Sequence, residues 1–392
     1  MKRLAIVTTH PIQYNAPLFK MMHARKNIEI KIFYTWSQSE SGKKFDPGFG
    51  KEINWDVPLL EGYNYSFVDN VSSSPGSHHY KGIDNPTLTT EIKEWNADAI
   101  LIYGWAFKTH LNAIRFFKGK IPVLFSGDST LLDQKHGVRR IIRNIFLRYV
   151  YSYIDMAMYV GKANKEYFLE HGLKKNQLSF MPHAIENERF FSNKIIQANA
   201  INILKSLDIP KTALVFLFVG KLEIKKQPEI LAKLFQEFNN NEAHLIIAGS
   251  GILEAEMKKN FAKFKNIHLL GFCNQNKMPS VYACCDVFVL PSIGPHETWG
   301  LAINEAMAAG KPLVVSDACG AASDLVHQLK NGFIFKRNDI EALREKLLFY
   351  LNNRNQIKKM GHYSLQIIKN YSYEKDCMVL ESTVSNFNYC KL

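Results

Sequence analysis

Short apolar runs alternate with stretches of helical spacing along almost the whole chain. Leu4–Thr8, Ile28–Tyr34, Tyr65–Val68, Ala99–Tyr103, Pro122–Ser126, Met156–Val160 and Leu178–Met181 read as strands. Most are near-continuous apolar runs, the signature of strands covered on both faces. Helical patterns lie between most of them, as at Ala16–Ala24, Thr109–Phe117 and Lys165–His171. The pattern then restarts. Strands are predicted at Leu214–Val219, His244–Ala248, Ile267–Leu270, Val287–Leu290, Leu313–Val315 and Phe333–Phe335. Helices are predicted near Pro228–Phe238, Leu253–Phe264, Lys277–Cys284, Gly300–Ala309 and Ile340–Leu351. Alternation of this kind predicts an α/β fold with parallel sheets. Two successive sets of similar size predict two Rossmann-like domains, residues 1–190 and 191–371, with the polar stretch Phe191–Lys211 as linker. A helical tail is expected from Asn355 to about Phe387. The segment Ser37–Thr87, rich in Gly, Pro, Ser and aromatics, predicts long loops, with an acceptor-facing insertion as one use for them.

The chain has 392 residues, 46% hydrophobic and 22% charged, enough for two real cores. No apolar run nears the roughly 20 residues that span a bilayer. The opening MKRLAIVTTH reads as a first strand, not a signal peptide. Six cysteines (Cys273, Cys284, Cys285, Cys319, Cys377, Cys390) form no C-x-x-C pair, which predicts a reduced, cytoplasmic protein. The net charge of +13 fits attraction to anionic lipid, nucleic acid or a phosphorylated substrate, or simply a lysine-rich habit. No nucleic-acid-binding signature is present, so nucleic acid is not an expected partner.

Candidate chemistry concentrates between Pro291 and Asp324. A strand leads into a loop carrying Glu297, a helix carries Glu305, and a second strand follows at Lys311–Ser316. In a parallel sheet such a loop lies at the carboxyl ends of the strands, where ligands bind. The helix start offers backbone N–H groups and a positive dipole end for phosphate. This stretch resembles the Glu-x7-Glu signature of the retaining glycosyltransferases of family 4, which have the GT-B fold. The family usually reads E-G-F-G-L-x-x-x-E-A-M-A-x-G. Here the chain reads Glu297-Thr-Trp-Gly-Leu-Ala-Ile-Asn-Glu305-Ala-Met-Ala-Ala-Gly310, with Thr298 and Trp299 replacing Gly-Phe.

A second match lies at Val219-Gly220-Lys221-Leu-Glu-Ile-Lys-Lys226-Gln-Pro228, where the family reads G-R-L-x-x-x-K-G. Lys221 stands for the Arg, Lys226 for the Lys, and Gln227 replaces the Gly. Breaking a sugar–phosphate bond builds negative charge on the departing diphosphate, and two cations at that spot stabilise it most strongly where water is excluded. Lysine at 221 keeps the charge but loses the bidentate fork. The competing reading is two solvated surface lysines, the one adopted for Lys225. Gly249-Ser-Gly251 follows a strand and opens a helix. A tight turn explains it as well as ligand binding does, and the resemblance places it at the floor of the nucleotide pocket. Phe272, after strand Ile267–Leu270, either stacks on the base or is a core aromatic. No D-x-D stands in the chain, which fits metal-independent transfer, and His296-Glu297 lacks the second histidine of H-E-x-x-H.

The first strand runs into His10-Pro-Ile-Gln-Tyr14 without G-x-G-x-x-G, so dinucleotide binding is not expected. This opening, with Trp55-Asp-Val-Pro-Leu-Leu-Glu-Gly-Tyr63, resembles a branch of bacterial family 4-like enzymes, a likeness that carries no substrate. His10 is either a cleft residue or a cap on the first helix. Asp128, in Ser126-Gly-Asp, is either an acceptor contact or base, or a helix N-cap. His183 is an outside candidate. Residues 136–151, HGVRRIIRNIFLRYVY, form a basic amphipathic pattern with Val138, Ile141, Ile142, Ile145, Phe146 and Tyr149 as its apolar stripe. That stripe rests either on an anionic membrane or on the protein's own sheet.

The resemblance implies two domains facing across a cleft, with the tail 372–392 packed back on the first and domain closure assembling the site. It implies transfer with retention from a nucleotide-sugar, UDP- before GDP-, with no cofactor or metal. Lys221 and Lys226 would stabilise the diphosphate, aided by backbone N–H groups at Thr298, Trp299, Gly300 and Leu301. Glu297 would orient the sugar and Glu305 hold the ribose, while Gly220, Gly249, Gly251 and Phe272 line the pocket. The acceptor expected is a glycan or lipid-linked intermediate of bacterial surface polysaccharide, handled at the inner face of the cell membrane. The rivals are a nucleotide-sugar-binding scaffold without turnover and a GT-B sugar-nucleotide epimerase.

Overall fold

The computed structural model describes residues 1–39, 44–46, 51–134, 137–238 and 242–387. Portions of the expected 37–87 loop region (40–43 and 47–50), His136 of the basic amphipathic pattern and Cys390 lie outside the described residues.

In chain order the elements are β1 (Arg3–Thr8), α1 (Ala16–Arg25), β2 (Glu29–Tyr34), β3 (Lys44–Asp46), β4 (Lys51–Ile53), β5 (Tyr65–Phe67), α2 (Leu88–Glu94), β6 (Ala99–Tyr103), α3 (Lys108–Phe117), β7 (Val123–Ser126), α4 (Val138–Tyr151), β8 (Met156–Tyr159), α5 (Lys162–Glu170) and β9 (Leu178–Phe180). They continue with α6 (Lys194–Ser206), β10 (Leu214–Val219), α7 (Pro228–Phe238), β11 (Ala243–Ala248), α8 (Glu254–Phe261), β12 (Ile267–Gly271), α9 (Met278–Ala283), β13 (Val287–Leu290), α10 (Leu301–Ala308) and β14 (Leu313–Ser316). The last are α11 (Ala322–Leu325), β15 (Gly332–Phe335), α12 (Ile340–Asn352), α13 (Asn355–Ile368) and α14 (Tyr373–Asn386).

Two compact units result. The first contains Met1–Lys44, Val57–Ala184 and Tyr373–Leu392, and the second Phe45–Asp56 and Ile185–Ser372. Each is built on one parallel sheet, with strand order β5-β2-β1-β6-β7-β8-β9 in the first and β12-β11-β10-β13-β14-β15 in the second. These are the two Rossmann-like domains that the alternation predicts. The apolar runs are continuous because helices cover both faces. In β1, Leu4 and Ile6 pack with α1 and α14, while Ala5 and Val7 pack with residues of α2, α3, α4 and α5. α14 enters that core through Tyr373, Cys377, Leu380 and Val384, and Arg25 pairs with its Glu381 at 2.6 Å.

Three expectations are corrected. The polar stretch read as a linker contains α6, whose Asn193 Oδ1 caps the Ile196 N–H at 2.9 Å and whose Ile196 and Ala200 are buried. Its narrow apolar stripe is diluted by exposed lysines and asparagines, so composition masks the helix. The tail is two helices, interrupted at Lys369–Ser372. The segment 45–56, expected with the first domain, belongs to the second unit, where β3 and β4 form a two-stranded sheet.

The apolar stripe of α4 does not lie on its own sheet. Leu147, Val150 and Tyr151 hold the helix to the core, whereas Ile141 is 61%, Ile142 62% and Ile145 66% exposed, with Val138, Phe146 and Tyr149 also open. No helix among the described residues is long and apolar enough to cross a membrane.

Candidate active site

The second sheet reverses direction between β10 and β13: β11 and β12 extend one way, β14 and β15 the other. Loops leaving the carboxyl ends of such neighbours diverge and leave a crevice. The loop after β10 places Lys226 there, and the loop after β13 places Glu297 opposite. Lys226 Nζ lies 2.7 Å from Glu297 Oε2, with both side chains largely buried. Ser292 Oγ donates to the same carboxylate oxygen at 3.1 Å. Ser292 is fixed in turn, because its carbonyl accepts from Ser316 Oγ. A buried ion pair of this kind is costly to break, since removing one partner leaves a desolvated charge. It holds a cation and a carboxylate at a crevice mouth with their geometry already set.

The loop carrying Glu297 is clamped on two sides. The Ile293 N–H donates to Lys225 O at 2.8 Å, tying it to the lysine loop. The Gly320 N–H donates to Glu297 O at 2.9 Å and the Ala321 N–H to Trp299 O at 3.0 Å. A Cβ at Gly320 would sit 1.7 Å from Thr298 O, so only glycine permits this approach. Arg337 donates from Nη1 to Ile293 O at 3.3 Å and pairs with Asp317 at 3.5 Å.

Gly300, at φ 95°, turns the chain into α10. The Ile303 N–H bonds Gly300 O at 2.9 Å, and the helix start carries the positive end of its dipole. Thr298, Gly300 and Leu301 are half-buried around this end. Trp299 differs: its ring is buried, its Nε1–H donates to Asn304 Oδ1 at 2.9 Å, and it lies 6.2 Å from Tyr371. The indole is therefore a core residue. Glu305, buried in the second turn, accepts from Tyr282 Oη at 2.7 Å.

The glycines after β10 and β11 are a backbone contact. A Cβ at Gly249 would fall 1.8 Å from Gly220 O, and one at Gly251 2.6 Å from Leu222 O. Lys221 is half-buried immediately after Gly220, and Phe272 is half-buried after β12. The thiol of Cys319 is pushed up to about 12, first by burial and then by the Glu297 charge, which makes it a core residue rather than a nucleophile.

In the first unit the sheet reverses between β1 and β6. His10 follows β1, with Nδ1 2.8 Å from Thr9 Oγ1 and its ring edge-on to Trp36 at 5.5 Å. Asp128, after β7, pairs with His183 Nε2 at 3.7 Å, both half-exposed. His183 thus joins Asp128 directly. His110 was invisible to sequence reasoning. It is fully buried, bonded to Thr35 Oγ1 at 2.9 Å and Gly104 O at 3.0 Å, and burial lowers it to about 4, so it is neutral at pH 7.

Among the described residues no group of three or more His, Cys, Asp or Glu is placed to hold a metal ion.

This geometry coincides with a family match. Residues 200–366 match the family described as glycosyl transferases group 1. The matched residues include the lysine loop, the glycine contact, Glu297 and Glu305. The chain is 31% identical over 184 residues to the Escherichia coli UDP-Gal:α-D-GlcNAc-diphosphoundecaprenol α-1,3-galactosyltransferase, covering 44% of each. It is 24% identical over 313 residues to the Campylobacter jejuni N,N′-diacetylbacillosaminyl-diphospho-undecaprenol α-1,3-N-acetylgalactosaminyltransferase, covering 76% of this chain and 81% of that one. The chain spans 36–44% of the length of several curated relatives it matches. The whole fold resembles Anabaena Alr3699/HepE, solved in complex with UDP, with a TM-score of 0.73 at 15% identity over 99% of this chain and all of that one. The fold of the whole chain is thus the GT-B fold.

Proposed function

We propose that this chain is a retaining, metal-independent glycosyltransferase. It moves a sugar from a nucleotide-sugar, UDP- before GDP-, to a hydroxyl of a glycan or lipid-linked intermediate of surface polysaccharide. The observation that carries this reading is the Lys226–Glu297 pair at 2.7 Å, set in the β10/β13 crevice of a group 1 domain. In this reading the donor diphosphate lies between Lys226, Lys221 and the start of α10, where charge develops as the sugar–phosphate bond breaks. Glu297 faces the sugar and offsets positive charge at its anomeric carbon. Glu305 takes ribose hydroxyls, its orientation held by Tyr282. His10 and the Asp128–His183 pair serve the acceptor.

Two observations support a lipid-linked acceptor. Both bacterial relatives carry diphospho-undecaprenol acceptors in their names. The exposed apolar stripe of α4 is flanked by Arg139 and Arg143, a face suited to an anionic leaflet.

The test is nucleotide release. The protein is incubated with UDP-glucose, UDP-galactose, UDP-N-acetylglucosamine and GDP-mannose, with and without lipid-linked acceptor, and free UDP or GDP is measured. One donor should be turned over, and Lys226→Ala should lower the rate by roughly 10²–10³. Interconversion of the sugar nucleotide without release would favour an epimerase. Binding with neither outcome would favour a scaffold.

A further inference from the structure

The segment 45–56 leaves the first unit after β2, joins the second, and returns before β5. Its end is fastened to the loop after β12. Asn274 Nδ2 donates to Asn54 O at 2.8 Å, and Asn276 Nδ2 donates to Asp56 O at 2.8 Å. The Asn276 backbone N–H also donates to both Asp56 carboxylate oxygens at 3.2 Å. Trp55 is held between these anchors, its ring 6.2 Å from Phe272 at a tilt of 46°. Both rings are only half-buried, so aromatic surface remains open.

Position along the sheet edge gives this pair its meaning. Phe272 follows β12, and Lys226 follows β10, with β11 between them. Two strand spacings are about 10 Å, the scale of the ribose and phosphates that separate a nucleobase from the far end of its diphosphate. Between the two ends lies the Gly249–Gly251 turn, its two glycines pressed against the backbone of the β10 loop. One end of the edge offers cations, the other a half-exposed aromatic pair.

We propose that Trp55 and Phe272 form the aromatic surface on which the donor's nucleobase stacks, so that Trp55 is a further binding residue supplied by the inserted segment. This rests on the donor reading above. Asn274 and Asn276 are positioning residues that hold Trp55 in place.

The test is calorimetric titration of wild type, Trp55→Ala, Trp55→Phe, Asn276→Ala and Lys226→Ala with UDP, GDP and inorganic pyrophosphate. Loss of a base–aromatic stack predicts that Trp55→Ala weakens the bound nucleotide about 5- to 150-fold while leaving pyrophosphate unchanged. Trp55→Phe should restore most of the affinity, and Asn276→Ala should show a smaller loss with the same selectivity. Lys226→Ala should lose both ligands. Unchanged nucleotide affinity in Trp55→Ala, or an equal loss of pyrophosphate, overturns the assignment and leaves the donor site standing. A wild type that binds neither nucleotide overturns the donor reading and this inference together.

Discussion

Asp376 sits in the first turn of α14, buried, with Oδ1 making no hydrogen bond. Burial pushes its carboxyl well above the usual carboxylate range. An acid whose folded-state pKa is raised favours folding only while protonated. Its contribution is full below the unfolded value near 4 and is lost as pH rises toward the folded value. Asp376→Asn, neutral throughout, should therefore melt higher than wild type at pH 8, by about 1–3 kcal/mol of stability, with the gap closing toward pH 4. Equal melting of the two proteins at pH 8 would show that the carboxyl is solvated. Lys226, Glu297 and Glu305 stand out in the sequence as candidates because charged residues at fixed spacing around apolar strands are a local signal. Ser292, Tyr282, Asn304 and Gly320 do not, because their roles exist only through partners on other loops: Tyr282 reaches Glu305 across 23 positions, and Gly320 matters because Thr298 O lies against it. Trp299 looks like a loop aromatic in the sequence and is a core residue in the fold.

Among elements, strands were the most legible. β6, β10 and β13 begin and end where their apolar runs do, because burial on both faces leaves no polar position to blur the edge. Amphipathic helices were legible as patterns but not in orientation. The stripe of α4 has the same spacing whether it meets a sheet or solvent, and only the packing of Leu147, Val150 and Tyr151 shows that it turns outward. This face should bind membranes. Wild type should cosediment with vesicles containing phosphatidylglycerol, and added salt should weaken the association because exposed charges are screened. Ile141→Ser with Ile145→Ser should abolish cosedimentation with little change in melting temperature, since both side chains are already in water. Equal cosedimentation of the double variant would show that this face is not the contact. α6 was hidden for a related reason, its few buried positions lying in a lysine- and asparagine-rich run.

At the scale of the molecule, the alternation of strands and helices determined two parallel sheets, and the strand orders place a reversal in each. Strand order itself is not in the pattern, since any permutation of equally apolar strands would read alike. The destination of residues 45–56 was equally unreadable, because a loop's partner depends on the far-off Asn274 and Asn276. Binding of a nucleoside diphosphate in the β10/β13 crevice is tested by a thermal-shift panel of UDP, GDP, ADP, TDP and CMP on wild type, Lys226→Ala and Glu305→Ala. A ligand at 100 times its dissociation constant adds about 2.7 kcal/mol of apparent stability. UDP, or else GDP, should raise the wild-type melting temperature, and both variants should lose the response. Absence of any shift in the wild type, or an undiminished shift in both variants, would contradict binding there.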